Sequence, residues 1–281
     1  MRIKDILIKI WLFLASTIVI CCTLFVFLYI LIKGIGVINL EFIFGSPKGM
    51  PLGTEGGIFP AIVGTILLGM LSSFFSSIIA FLLSVYLCYY CKSNSYSNIL
   101  KSIMFFCSGI PSVIFGLVFY NIFIYKFGVS RSLFTASITI AVMILPFITL
   151  QFMQIFNDES HELFLTSLSI GYTKSYTIFS IIMRKNYRQF LSATALSMSY
   201  GIGATAPIMY TGAVLYADVP HSVFQPFMSL PYHLYFLIAD GISIENAYGT
   251  AFVLMILILI INFIPRYTIQ FRKLRDEDKY E

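Results

Sequence analysis

The sequence predicts an all-α integral membrane protein with six transmembrane helices, and three observations carry that prediction. Of its 281 residues 58% are hydrophobic and 11% charged, with a mean hydropathy of +0.88, a balance that no ordinary soluble domain has. Six apolar runs are long enough to cross about 30 Å of hydrocarbon at about 1.5 Å per helical residue. The basic residues alternate between the intervening segments, fourteen of the eighteen lysines and arginines falling in one set and only Lys33, Lys48, Lys126 and Arg131 in the other. By the positive-inside rule the richer set, which includes both termini, is cytoplasmic.

The spans are 10–32, 60–91, 102–125, 132–156, 189–217 and 246–265. The first is uncharged and too long for a signal-peptide core, and no small-residue cleavage site follows it. In the second, Ser72, Ser73, Ser76, Ser77, Ala80 and Ser84 recur at three- and four-residue steps, a face suited to close helix approach. The third and fifth carry glycine, proline and hydroxyls together, at Gly109, Pro111, Ser112 and Gly116 and at Gly201, Gly203, Thr205 and Pro207. In lipid, a helix broken this way is tolerated where protein or water satisfies the freed backbone groups, which is how broken helices come to line pathways. Pro146 stands alone in the fourth span and reads as a kink. The 221–239 stretch is apolar but interrupted by Pro226 and Pro231, and reads as a re-entrant or surface segment on the outer side. Tyr29, Tyr89 and Tyr90, near span ends, fit an interfacial belt.

The longest polar interval, 157–188, lies between the fourth and fifth spans and is cytoplasmic by the same rule. Its pattern predicts helix, glycine break, helix: Leu163, Leu168 and Ile170 form the apolar positions of the first half, Gly171 is a left-handed stop, and Thr173 caps the second helix. Acidic residues upstream, Asp158 and Glu159, suit the positive end of the first helix dipole. A structured, partly apolar loop in the cytoplasm predicts a partner that grips it.

Several chemistries find no support in the residues. The net charge of +5 is explained by basic loops on one membrane face rather than by nucleic acid. No charged residue lies well inside a span, which argues against proton relays and voltage sensing. There is no Walker A sequence, no Ser-His-Asp or Cys-His set that one cleft could assemble, and His161, His221 and His233 sit in separate segments, so neither ATP binding, catalysis nor a metal site is expected. Cys88 and Cys91 form a CxxC with no second pair, and the five cysteines read as small hydrophobes.

Six blocks together resemble the permease subunits of ATP-binding-cassette importers. They are Gly56 to Thr65 (GGIFPAIVGT), Gly109 to Gly116 (GIPSVIFG), Leu145-Pro146, Gly171, Thr205-Ala206-Pro207, and Leu230 to Tyr235 (LPYHLY). The first two are most similar to PstA-type subunits of phosphate transporters. The resemblance implies a type I importer (MetI-like) fold, with residues 1–55 an N-terminal helix and outer loop, 56–270 the core permease domain and 271–281 a charged cytoplasmic tail. It implies a PstC-type second permease, two PstB-type ATP-binding subunits and a PstS-type extracytoplasmic phosphate-binding protein as partners, with no cofactor on this chain. Glu162, Leu165, Thr166, Ser167, Gly171 and Thr173 would then form the ATPase-coupling loop, and Gly109, Pro111, Ser112, Gly203, Thr205 and Pro207 the translocation pathway for phosphate. The chain departs from the family pattern in three places: Leu165-Thr166-Ser167 replaces Glu-Ala-Ala, Tyr200 and Ala204 stand where an arginine and a glutamate are usual, and Leu150 replaces an arginine. The alternatives left open are an importer of a different oxyanion and a divergent subunit that assembles without transporting.

Overall fold

The computed structural model describes residues 3–91, 93–158 and 161–277. Lys92 and Lys279, two of the cations expected on the cytoplasmic side, lie outside the described residues with Arg2, as do Glu159 of the polar interval and the last four residues of the tail.

Helix α1, Ile3–Ile35, opens with Asp5 and ends with Lys33, charges placed to complement the helix dipole. Its Ser16, Thr17 and Thr23 hydroxyls return to carbonyls three or four residues back, so these hydroxyls are satisfied within an otherwise apolar rod. None of its apolar window is buried. It rests on the last helix, where Tyr29 meets Tyr248 edge-on with ring centroids 5.7 Å apart. A short α2, Leu40–Phe44, is capped by Asn39, whose Oδ1 accepts from Phe42 N at 2.7 Å. A two-stranded hairpin follows, β1 (Pro47–Lys48) against β2 (Glu55–Gly56).

Helix α3, Phe59–Val85, ends in a π-helical turn at Tyr86–Tyr90. It buries the predicted small face, with Ser72, Ser73, Ser76, Ala80 and Ser84 inside, against α6, Leu133–Asp158, which supplies Ile140, Ile144, Ile148 and Phe152. Lipid satisfies apolar surface as well as a protein core does, so such helices associate by close contact, and the serines permit it. Ser73 and Ser77 also satisfy their own hydroxyls, donating to carbonyls four residues back at 2.6 Å. α6 continues through Pro146 without a break, and the carbonyls of Val223 and Gln225 accept from its first-turn amides at Phe134 and Leu133. Between these two helices the chain forms α4, Asn94–Ser108, and α5, Ser112–Phe119, the latter running into a π-helical segment Tyr120–Lys126.

After α6 come α7, His161–Ser169, and the short α8, Lys174–Tyr176, then a π-helical turn Thr177–Ile182 leading into α9, Met183–Ile202. α10, Thr205–Thr211, and α11, Leu230–Ala239, are short, and α12, Ile244–Glu277, is long. The first amide of α11 donates to Thr65 Oγ1 at 2.8 Å, fixing this segment on α3. Asn246 Nδ2 donates to the carbonyls of Gly53 and Thr54, and Tyr216 to that of Leu52, so the hairpin is fastened to α12 and to the segment after α10.

Several sequence-based expectations differ from the structure in their details. The predicted third span is two helices inclined at 94° rather than one. The predicted fifth, 189–217, stops as helix at Thr211, because Gly212 and the extended bridge of Ala213 to Phe227 end it. The sixth runs on past Pro265 to Glu277. Tyr89 is no belt residue; its ring packs on Phe164 and Phe156. Among the described residues four helices (α1, α3, α6 and α12) are long and apolar enough to cross a membrane, and five if α4 and α5 form one broken crossing. The remaining predicted crossing, α9 with α10, falls short by that measure because α9 begins with Arg184, Lys185 and Arg188 and α10 has only seven residues.

Candidate functional site

Two sites emerge at opposite ends of α9. At the first, α7 ends in a complete Schellman motif: Tyr172 N donates to Ser167 O and Gly171 N to Leu168 O, at 3.1 and 3.0 Å. That closure requires a positive φ at the residue after the helix, and Gly171 has φ +99° with open space around it. Thr173 Oγ1 then accepts from Tyr176 N, capping α8. Glu162, Leu165, Thr166, Gly171 and Thr173 are exposed, whereas Ser167 is buried and donates to Leu163 O.

Of the three apolar positions expected to seat α7, Leu163 and Leu168 pack against the core and Ile170 does not; the most buried apolar contact is Phe164, which the pattern does not single out. Phe164 is 7% exposed and Ile170 72%. The Phe164 ring lies 4.3 Å from that of Tyr89, which lies 5.4 Å from Phe156, and Phe156 in turn contacts Phe81 and Phe190 at 5.8 and 5.2 Å. One continuous aromatic cluster therefore joins α7 to α3, α6 and α9. α8 is tied to the same place, with Lys174 over the Tyr90 ring at 5.6 Å and Ser175 3.5 Å from its hydroxyl.

At the second site the two glycine-proline breaks meet. Pro111 is the cap residue of α5 and Pro207 stands in the first turn of α10, so each proline begins a new helix where its missing N–H would be unpaired anyway. The two half-helices pack on each other through Gly116, where a Cβ would fall 2.8 Å from Pro207 Cα and 3.1 Å from the Tyr210 ring. Beside this seam a cavity of about 380 Å³ is walled by Ser112, Met143, Ser199, Tyr200, Gly203 and Ala204. Of the predicted pathway residues, Ser112 and Gly203 line it, Pro207 is buried in the seam, Thr205 is half-buried outside the wall, and Gly109 and Pro111 are exposed at the bend.

Neither α5 nor α10 carries a side-chain cap; Ile114 N and Ala204 N return to Pro111 O and Gly201 O, which leaves the amides of Ser112, Val113, Thr205 and Ala206 for another acceptor, and a partial positive charge points out of each helix. No charged side chain lines the cavity among the described residues. Tyr200 and Ala204, the positions that replace the family's usual charges, form part of its wall. One polar contributor was missed: Asn262, on α12, donates from Nδ2 to Ser199 Oγ at 2.8 Å and to Ile258 O at 2.9 Å. A neutral amide carries no charge signal, and only the packing of α12 on α9 reveals it.

Residues 87–275 match the family model described as binding-protein-dependent transport system inner membrane component. The chain is similar to the probable phosphate transport system permease protein PstA of Methanocaldococcus jannaschii, with 27% identity over 95% of this chain and 94% of that one. It is also similar to the phosphate transport system permease protein PstA of Pasteurella multocida, with 23% identity over 83% of each. The fold is similar to that of a chain of the MetNI methionine ABC transporter in an inward-facing conformation, with a TM-score of 0.62 over 75% of this chain and 93% of that one at 16% identity. The apolar helices, the broken pair and this match over most of the length lead to one statement: the chain is a multi-pass membrane protein and belongs to the family of binding-protein-dependent transport system inner membrane components.

Proposed function

We propose that the chain is the permease subunit of an ATP-driven importer and moves phosphate across the cytoplasmic membrane by alternating access, with both termini and the 157–188 loop in the cytoplasm. One observation carries the reading: the two broken helices meet at Gly116 and Pro207 beside a cavity, while the opposite end of α9 holds a glycine-closed helix seated through Phe164 in a ring cluster shared with three other helices. The first part supplies a passage with uncapped amides, and the second a lever. α9 with α10 completes six crossings in this reading, and residues 56–270 form the transporting core.

The remaining parts must come from other chains. A PstC-type permease would complete the passage, PstB-type ATP-binding subunits would pull α7, and a PstS-type binding protein would deliver substrate from outside. Phosphate as the substrate rests on the names of the relatives and on the amide ends of α5 and α10, which suit an oxyanion.

The uncharged wall favours a second reading in one respect. An anion in the cavity would meet hydroxyls and amides from this chain, and any cation that neutralises it would belong to the partner permease. A subunit that shapes the passage without binding substrate is the limiting case. Reconstitution with the neighbouring permease, ATPase and binding protein separates the two by uptake of labelled phosphate with sulfate as competitor. Ser112→Ala and Gly203→Val should lower phosphate uptake while the complex still assembles. Uptake unaltered by both changes would remove this chain from the passage.

A further inference from the structure

A second cavity flanks α9 on the side away from the first. At about 100° per residue, Ser199, Tyr200 and Gly203 point one way along this helix, and Met183, Tyr187, Phe190 and Thr194 the other. The latter face borders a cleft of about 470 Å³ between α3, α6 and α9, whose other walls are the rings of Phe81, Phe152 and Phe179. Ser77 and Thr194, with hydroxyls 3.3 Å apart, mark its far end. At the near end Tyr187 accepts from Arg188 Nε at 2.8 Å, and the guanidinium lies 5.5 Å from the Tyr187 ring centroid. Arg184 and Lys185 are exposed in the same turn. From Met183 to Thr194 the cleft follows roughly 16 Å of helix.

We propose that this cleft holds one acyl chain of an anionic phospholipid from the cytoplasmic leaflet, with the headgroup phosphate at Arg184 and Arg188. The walls are almost wholly apolar, so water filling them would find few partners. The rim residues Ile78, Phe179 and Leu191 are 48%, 52% and 56% exposed, which makes the cleft continuous with the apolar outer surface of α3 and α9. A second permease would stand across the first cavity, so this opposite face is turned to lipid. Cations at a helix start near the membrane surface select anionic headgroups, and the arginine fork suits a phosphate.

The sidedness rests on the proposed function, and so does one consequence. Phe81, Phe152 and Phe190 wall the cleft and also belong to the ring cluster that seats Phe164. A bound chain would fill the open side of that cluster and stiffen the link from α7 to α3 and α6.

The test uses the assembled complex in proteoliposomes containing phosphatidylglycerol or phosphatidylcholine with a photoactivatable group on the acyl chain, and maps labelled peptides. With unaltered protein, labelling within residues 77–81 and 179–194 should be at least about fivefold higher for phosphatidylglycerol, the preference worth one surface cation. Arg184→Gln with Arg188→Gln should abolish that preference, and Thr194→Phe should reduce labelling by both lipids. Equal labelling of these segments by the two lipids in unaltered protein, or labelling confined elsewhere, overturns the proposal, and neither result depends on the variants folding. Phosphate uptake measured on the same vesicles keeps the two ideas apart: labelling without uptake sinks the transport reading alone, and uptake without labelling sinks the lipid site alone.

Discussion

The two ends of α9 are built by opposite rules. At the α7 end, Tyr89, Phe156, Phe164 and Phe190 fill the space with rings 4.3 to 5.4 Å apart from one to the next. At the other end, Ser112, Ser199, Gly203 and Ala204 border a cavity, and Gly116 lets two half-helices approach backbone to backbone. Large rings in contact have little room to yield, so a push on one is passed to its neighbours. Small residues at breaks do the reverse, allowing helices to part and exposing amides to whatever enters the gap. The difference teaches where force and passage are separated along one helix.

Removing the ring that joins α7 to the cluster should have the largest effect. Phe164→Ala takes away a nearly buried aromatic side chain, a change that costs about 3–5 kcal/mol in packed cores. α7 would then undock from Tyr89 while the spans remain folded. The expected outcome is a complex that still purifies with its ATPase but whose hydrolysis no longer responds to substrate and whose uptake is lost, with Phe164→Leu intermediate. Normal substrate-stimulated hydrolysis in Phe164→Ala would show that force does not travel through this ring.

The next effect belongs to the open end. A side chain at position 116 must displace Pro207 Cα, which is backbone and cannot swing away, so Gly116→Val should cost about 1–3 kcal/mol in overpacking. Uptake should fall because α5 and α10 separate, while the basal ATPase rate of the assembled complex stays as before. If uptake is kept, the seam between the half-helices is not part of the passage, and the contrast with the α7 end loses its functional meaning.

How far each end was legible differs for physical reasons. The glycine stop, the Thr173 cap and the two breaks were readable because glycine, proline and hydroxyls act on local backbone, which sequence reports directly. The small face of α3 was readable from its period. Phe164 was not, since in a chain with 28 phenylalanines apolarity alone does not say which ring is buried, and Ile170 satisfied the same pattern. The 94° bend was also hidden: Gly109 and Pro111 announce a break, but its angle depends on how α4 packs on α6. Likewise α1 and α6 read alike as apolar helices, yet none of the α1 window and two thirds of that of α6 is buried, because partners and not hydropathy decide burial in a membrane.

A smaller effect tests whether the α7 end depends on its closure as well as its ring. At φ +99° with nothing within 4 Å, Gly171→Ala meets no clash and suffers only the conformational penalty of a left-handed residue, about 1–2 kcal/mol. Gly171→Asn should cost less, since asparagine tolerates that region. Proteolysis between residues 161 and 176 should therefore quicken in the order Gly, Asn, Ala, with coupling reduced in the same order and far less than in Phe164→Ala.

The smallest effect concerns the bond that ties the open end to α12. Asn262 Nδ2 donates to Ser199 Oγ while that hydroxyl donates to Ala195 O at 3.0 Å, so each partner keeps a bond within its own helix when the link between them is cut. Asn262→Leu leaves Ser199 still donating to Ala195 O, whereas Ser199→Ala frees one Nδ2 N–H of a half-buried amide that the solvent side can reach; each should cost about 0.6 kcal/mol, the average of such bonds between membrane helices. For a chain of this size that is a fall in Tm of about 1–2 °C. The double variant decides what the bond does: if the link is the shared loss, the two changes together should cost no more than either alone. Strict additivity would mean that α12 is held against the cavity wall by packing, with the amide contributing nothing of its own.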